Sequence, residues 1–343
     1  MFDFDTKMRA EIEGIPAAMG RLLEHSAESL PEVAKTIQET NPRLITTVAR
    51  GSSDHAATYL KYAFEIAMRV PVASIGPSVS SIYNVDLQLP DSLCLAISQS
   101  GKSPDIVSMV QSARRGGAFI LALTNNPQSP LSSSSNVTID IRAGTESSVA
   151  ATKTFVNSVY AGLLLLAHWK NDADLLQALE HLPELAERAI SRDWEPLARR
   201  VLRADALYIL GRGPCAAIAQ EVALKFKETC GIQGEAFSSA EVLHGPVSIV
   251  KERYPVLALI ADDMAASSVS EVAERLAAMG GDVFSTRSDV ATATSLPTVS
   301  CGHPLCDPLL QVVSFYAFVE QLARLRGLHP DQPQNLKKVT ETV

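Results

Sequence analysis

The chain states one plan twice. Residues 206–228, ALYILGRGPCAAIAQEVALKFKE, follow the pattern of residues 44–65, LITTVARGSSDHAATYLKYAFE. Each stretch opens with an apolar run suited to a strand, turns at Arg-Gly and continues with the spacing of a helix. Arg50-Gly51 matches Arg212-Gly213 at an offset of 162 residues, and at that offset Ser98 falls on Ile260. The later segments follow in the same order: PVLALIADD for SLCLAISQS, MGGDVFSTR for RGGAFILALT, and CDPLLQVVSFYAFVEQLARLRG for SVAATKTFVNSVYAGLLLLAHWK. Two unrelated α/β halves would share the alternation but have no reason to keep a constant offset. The chain therefore reads as two copies of one unit.

Within each copy, apolar strands with few charges alternate with amphipathic helices. That pattern predicts a parallel sheet covered on both faces, a flavodoxin-like three-layer α/β/α unit. The expected divisions are an N-terminal helical segment over 1–28, a first copy over 29–185, a second over 186–330 and a tail over 331–343. The closing helix of the first copy is expected to start near Ser148.

Composition narrows the function classes. Hydrophobic residues at 46% and charged residues at 20% supply enough apolar side chains for folded cores. A formal charge of −8 and a pI of about 5.4 argue against a nucleic-acid partner. The longest apolar run, AGLLLLA at 161–167, is too short to span a membrane and leads into His168-Trp169-Lys170. The first residues, MFDFDTKMRAEIEGIP, lack the basic and apolar regions of a secretory signal, and the five cysteines are scattered, so a reducing cytoplasm is expected. Cys301, His303 and Cys306 lie close together without a second ligand pair, and no metal site is expected there.

The stretch SQSGKSPD, residues 98–105, stands at the end of the strand SLCLAI. Ligands of open parallel sheets bind at the carboxyl ends of strands. A helix start there offers unpaired N–H groups and partial positive charge, serine hydroxyls donate hydrogen bonds, and glycine permits close approach. Ser103-Pro104 reads as N-cap and first helical residue. Capping explains the second half of the loop, and an anion such as phosphate explains Ser98, Gln99 and Ser100. The second copy has IADDMA at this point, so the anion site is expected in the first. The spacing is not that of a nucleotide P-loop, and GRGPCA at 211–216 lacks the third glycine of a dinucleotide fingerprint.

Three further features carry chemistry or none. Lys225 and Glu228 share a helix face, as a solvated ion pair or at a pocket rim beside Val222 and Phe226. His244, in VLHGP, is a structural histidine or a proton carrier. Lys338 lies in a tail without apolar periodicity, which by composition alone reads as a frayed end.

Taken in order, ARGSSDHAA, ISQSGKSPD, AGTESSVAATKTF, ALKFKE, EAFSSAEVLHGP and DQPQNLKK resemble the sugar isomerase (SIS) family, and in particular the isomerase half of glucosamine-6-phosphate synthases. The similarity runs from about residue 30 to the C-terminus. It implies a doubled SIS fold that binds a hexose 6-phosphate. The phosphate-binding positions fall on Ser53, Ser98, Gln99, Ser100 and Ser103, with Ser52 in place of a threonine. The loop beside the sugar falls on Ala143 to Glu146, and a sugar-contacting valine on Val149. The family's catalytic glutamate and its nearby lysine fall on Glu228 and Lys225, its ring-opening histidine on His244, and its Schiff-base lysine on Lys338, with Lys337 as neighbour. A homodimer is implied, with His244 reaching the sugar site of the partner.

Two departures bear on the activity. The synthases carry a glutaminase domain ahead of this half, whereas this chain reaches the SIS region almost at once. Asp54 stands where the synthases have tyrosine, and Lys102-Ser103 where they have glutamate-threonine. ARGSSDH and ISQSGKSPD are more similar to stand-alone SIS-type glucosamine-6-phosphate deaminases. The expected reaction is glucosamine 6-phosphate to fructose 6-phosphate and ammonia, with no cofactor, because the sugar carbonyl is the electron sink. The alternatives are a fructosamine-6-phosphate deglycase, a galactosamine-6-phosphate deaminase/isomerase, a synthase-like transaminase without glutaminase, and a non-catalytic sugar-phosphate sensor.

Overall fold

The computed structural model describes residues 5–336 and residue 338. Three helices lead in: α1 (Lys7–Glu13), α2 (Ile15–Ser26) and α3 (Ser29–Thr40). The first sheet is built from β1 (Leu44–Val48), β2 (Val72–Ser74), β3 (Ser92–Ile97), β4 (Phe119–Thr124) and β5 (Val137–Asp140). It is parallel throughout, in the order β2-β1-β3-β4-β5. Between and after these strands come α4 (Ser52–Met68), the short α5 (Ser78–Ser81), α6 (Pro104–Arg115), the short α7 (Pro130–Ser133), α8 (Lys153–Lys170) and α9 (Ala173–Ile190).

The second sheet has β6 (Ala206–Gly211), β7 (Gln233–Ser238), β8 (Pro255–Ala258), β9 (Asp282–Ser285) and β10 (Thr294–Ser295), also parallel, in the order β10-β9-β8-β6-β7. Its helices are α10 (Glu195–Val201), α11 (Pro214–Cys230), α12 (Ala266–Ala278) and α13 (Asp307–Leu325). Counted from the first strand of each sheet, the two strand orders are the same.

The repeat persists in the hydrogen-bond register. Thr46, Thr47 and Val48 lie opposite Cys94, Leu95 and Ala96, and Tyr208, Ile209 and Leu210 lie opposite Val256, Leu257 and Ala258. Every residue in the second set stands 162 positions after its counterpart. The helices that follow agree as well. α4 and α11 each have 17 residues, with Gly51 (φ 54, ψ −134) and Gly213 (φ 59, ψ −136) as N-caps. A side chain at either cap would be forced into a region that glycine alone enters at little cost. The C-caps, Arg69 and Gly231, are both left-handed.

Cores form where the patterning places them. All of β3 is buried, and Val48, Cys94, Ala96, Ile106, Met109 and Ile120 pack together beneath it. Tyr208, Leu210, Val256, Ala258, Val269 and Val283 do the same in the second sheet. The apolar run 161–167 belongs to α8, which is buried nearly all round, the pattern of a core helix. Among the described residues no helix is long and apolar enough to cross a membrane.

Two compact units result. Among the described residues, one holds Ala17–Glu146 and Lys153–Glu180, and the other holds residues 5–16, Ser147–Thr152, residues 181–336 and Lys338. In the second, α1 packs on α13, and the buried Glu320 takes Arg9 at 3.0 Å, Arg324 at 2.9 Å and the Thr6 hydroxyl at 2.8 Å. The helix expected from Ser148 begins at Lys153. The preceding residues are drawn elsewhere. The buried Glu11 carboxylate accepts the Ser147 N–H, and the Ser148 N–H at 3.1 Å. Glu146 takes over the helix start, accepting from the Thr154 N–H at 3.1 Å and the Thr154 hydroxyl at 2.6 Å.

Candidate active site

In the first unit, β1 and β3 are neighbours and both run into helices at their carboxyl ends. Ser52 and Ser53 open α4, and Ser98 to Ser103 connect β3 to α6. Ser98 is buried, whereas Ser52, Ser53, Gln99, Ser100 and Ser103 are half-buried. The loop is fixed by its own groups. The Ser98 Oγ accepts the Gly101 N–H at 3.2 Å, and the Ser100 Oγ accepts the Lys102 N–H at 3.3 Å. The Gln99 carbonyl accepts the Asn125 N–H at 3.1 Å, tying the loop to the end of β4. Gly101 has φ +63, and a Cβ there would lie 2.1 Å from the Ser129 Oγ, so conformation and space both require glycine.

Ser103 is the N-cap residue of α6 and Pro104 its first residue, as the sequence suggests, but the Ser103 side chain makes no capping bond. Asp105 does that work, accepting the Ile106 N–H at 2.9 Å while its other oxygen takes Arg50 Nε at 2.9 Å. The Ser103 hydroxyl is therefore not spent on the helix. Serine hydroxyls and the N-termini of α4 and α6 thus stand at the ends of neighbouring strands, groups of the kind that suit an oxyanion. Asp54, in the first turn of α4, is pushed above the usual carboxylate range by burial, against the opposing pull of His55 and Arg50.

The matching end of the second sheet differs, as IADDMA leads one to expect. A cavity of about 300 Å³ opens there, with Asp262, Arg287 and Asp289 in its wall. Arg287 holds both carboxylates, at 2.8 Å and 2.5 Å, so its charge is already matched. Where the first copy has SQSGKS, Ile260, Ala261 and Asp262 line this cavity.

The second unit carries a different constellation. Lys225 is not at a pocket rim or on a solvated face: its side chain is 0% exposed. It lies 2.5 Å from the Glu228 Oε2 and 3.3 Å from the Oε1 of Glu221, itself fully buried. Glu228 keeps 17% of its side chain exposed. Burial acts to lower the Lys225 pKa, but Glu221 and Glu228 together outweigh it and hold the ammonium above the ordinary lysine value. The lysine is thus a fixed positive charge gripping a carboxylate that still reaches outward. Glu221 was missed in the sequence, although its place four residues before Lys225 was a usable signal.

His244 follows a single turn over Glu241–Leu243 and is exposed. Its loop is anchored by the Tyr208 hydroxyl, which donates to the Pro246 carbonyl at 2.9 Å. Burial pushes that phenol up to about 12, so it stays a neutral donor. Val149 is half-buried in the segment that Glu11 holds. Glu146 is occupied at the start of α8, a supporting position.

Lys338 is half-buried, and Lys337 lies outside the described residues. The tail before it is tied down: Asp331 accepts the Lys7 N–H at 2.6 Å and the Met8 N–H at 3.0 Å, satisfying the start of α1. Among the described residues no group of His, Cys, Asp or Glu is placed to hold a metal ion. Cys301 donates to Asp307 at 3.2 Å, and the Cys306 thiol is raised by its bond to Cys301 and by burial.

Comparison with known proteins gives the family. A family model described as the SIS domain matches residues 40–168 and 201–285. A glutamine–fructose-6-phosphate aminotransferase (isomerizing) of Pyrobaculum aerophilum is 34% identical over 95% of this chain, which spans 57% of that protein's length. A solved structure from Silicibacter pomeroyi DSS-3, described as a candidate phosphosugar isomerase, has 52% identity and a TM-score of 0.92, covering 95% of this chain and 100% of that one. A glucosamine-6-phosphate deaminase of Thermotoga maritima, at 19% identity and a TM-score of 0.76 over 98% of this chain and all of that one, shares the fold. With the family model matched in both copies and over more than half of its length, the chain belongs to the SIS domain family.

Proposed function

We propose that this protein is a phosphosugar aldose–ketose isomerase acting on an amino sugar, and that it converts glucosamine 6-phosphate and water to fructose 6-phosphate and ammonia. The observation that carries the reading is Glu228, a carboxylate gripped from behind by a buried lysine and exposed at its outer edge. Such a group can move a proton between adjacent carbons without losing its aim. The hydroxyls of Ser52, Ser53, Ser98, Ser100 and Ser103, with the Gln99 amide, take the 6-phosphate in this reading. The phosphosugar class is supported by the relatives, among them an isomerizing aminotransferase and a candidate phosphosugar isomerase.

The chemistry follows from these groups. His244 returns a proton to the ring oxygen as the sugar opens to its aldehyde. Glu228 removes the proton from C2, and the electron pair moves through the C1 carbonyl to give an enolamine. The same carboxyl then delivers the proton to C1, leaving an imine at C2. Water adds to C2, the C–N bond breaks, and ammonia leaves with the ketone formed. Lys225, held charged by its two carboxylates, is no nucleophile and serves by keeping Glu228 in place. Lys338 forms a Schiff base with the open sugar or stabilises charge at its carbonyl. Val149 bounds the sugar, and Glu146 supports the adjoining loop. The protein works as a homodimer in this reading, with the exposed His244 serving its partner.

A panel of glucosamine, galactosamine and fructosamine 6-phosphates, assayed for ammonia release, tests the proposal. Glucosamine 6-phosphate should be the best substrate, and Glu228→Gln should lower kcat by roughly a thousandfold. Wild-type protein that releases no ammonia from any of the three would sink the reading, and recovery of a tightly bound phosphosugar unchanged would make the protein a sensor.

A further inference from the structure

Glu221, Lys225 and Glu228 follow one another along a single face of α11. Two carboxylates compete there for one ammonium, and the competition is unequal: the Lys225 Nζ is 2.5 Å from Glu228 and 3.3 Å from Glu221. A cause for the imbalance lies on α13. The buried Tyr316 hydroxyl donates to the Glu221 Oε1 at 2.9 Å, the same oxygen that faces Lys225. A donor on that oxygen offsets part of its charge, and in a dry site the offset is strong. Glu221 then pulls less on the lysine, which leans on Glu228.

We infer that Tyr316 is a positioning residue that acts through Glu221 and Lys225 to fix Glu228. The inference rests on the proposed role of Glu228 as the proton carrier. Packing gives no reason for the hydroxyl. Phe226, Phe315 and Phe318 stack beside one another between α11 and α13, and Phe315 also meets Tyr316 ring to ring. A phenylalanine at 316 would fill the same space. What it would lack is the donor to Glu221.

Crystal structures of the wild type and Tyr316→Phe, together with steady-state kinetics on the best substrate of the panel, test the inference. In Tyr316→Phe the Lys225 Nζ should move toward Glu221 and lose its close contact with Glu228. Its kcat should fall roughly tenfold, the size of one charge-assisted hydrogen bond, with KM changed less than about twofold. In a Glu221→Gln background, where no competing charge remains, the same substitution should change nothing further. Lys225 still seated on Glu228 in Tyr316→Phe, an unchanged kcat, or full additivity with Glu221→Gln would each overturn the inference. If the wild type turns over none of the sugars, the proposed reaction fails, and the position of Lys225 in the two crystal structures alone decides the role of Tyr316.

Discussion

At the scale of single residues, charge and burial set the expectations. Lys225 is fully buried between Glu221 and Glu228, so Lys225→Met strands two carboxylates without their cation. Breaking a buried pair from one side costs about 3–5 kcal/mol, and urea unfolding at neutral pH should show a loss of that size. Folding raises the lysine's pKa, so its contribution is whole below the unfolded value of 10.5 and is lost only as pH climbs through the higher folded value. Asp54 works in the opposite sense. Its folded pKa is raised above 3.8, so it costs stability at neutral pH and nothing once pH falls below the unfolded value. Asp54→Asn should therefore melt higher than wild type at about pH 7 and no higher near pH 3; an equal gain at both would assign the effect to something other than charge. These two residues also mark what a sequence reveals at this scale. The pairing of Lys225 with Glu228 could be read from their spacing, but the burial of Lys225 could not. Tyr316 gave no signal, because its link to Glu221 spans 95 residues.

At the scale of elements, the strand-end loops are where pattern and structure meet. SQSGKSPD was legible as a loop entering a helix because each residue type has a local job there. Ser103 is the N-cap residue and Pro104 the first helical residue, as the sequence reads, but the Ser103 hydroxyl makes no capping bond, and Asp105 accepts the Ile106 N–H instead. The start of α8 was misread for a related reason. A carboxylate 136 residues away, Glu11, binds the Ser147 N–H and holds that stretch out of the helix. Gly101 gives this scale its prediction. Alanine there must adopt φ +63 and meet the Ser129 Oγ at 2.1 Å. Strain and overpacking together should cost about 2–4 kcal/mol. Because the cradle turns on this residue, KM for the phosphosugar should rise more than kcat falls. Ser100→Ala, which removes a hydroxyl and leaves the turn, should raise KM without the stability loss. A Gly101→Ala enzyme with wild-type KM would separate the loop's shape from phosphate binding.

At the scale of the whole molecule, doubling made the fold legible. One offset in the sequence becomes one register in two sheets and one length in two helices. What doubling could not convey is where the copies stop being equivalent. The loop SQSGKS of the first copy is answered by IADDMA in the second, and Glu221, Lys225 and Glu228 of the second are answered at the same offset by Tyr59, Ala63 and Ile66 in the first. In the proposed function the two halves divide the labour, which leaves one question, whose site His244 serves. The side chain is exposed at the tip of an anchored loop, a position suited to reaching another subunit. If it serves a partner in a homodimer, His244→Ala and Glu228→Gln disable different sites when the two chains are paired. Each mixed dimer then contains one site with both defects and one with neither. Random pairing makes half of all dimers mixed, so co-expressed chains should regain about one quarter of wild-type activity, although either variant alone is nearly inactive. A histidine acting within its own chain leaves every site in the mixed dimer with one defect. Co-expression would then restore nothing, and sedimentation of the active species as a monomer would exclude the shared site altogether.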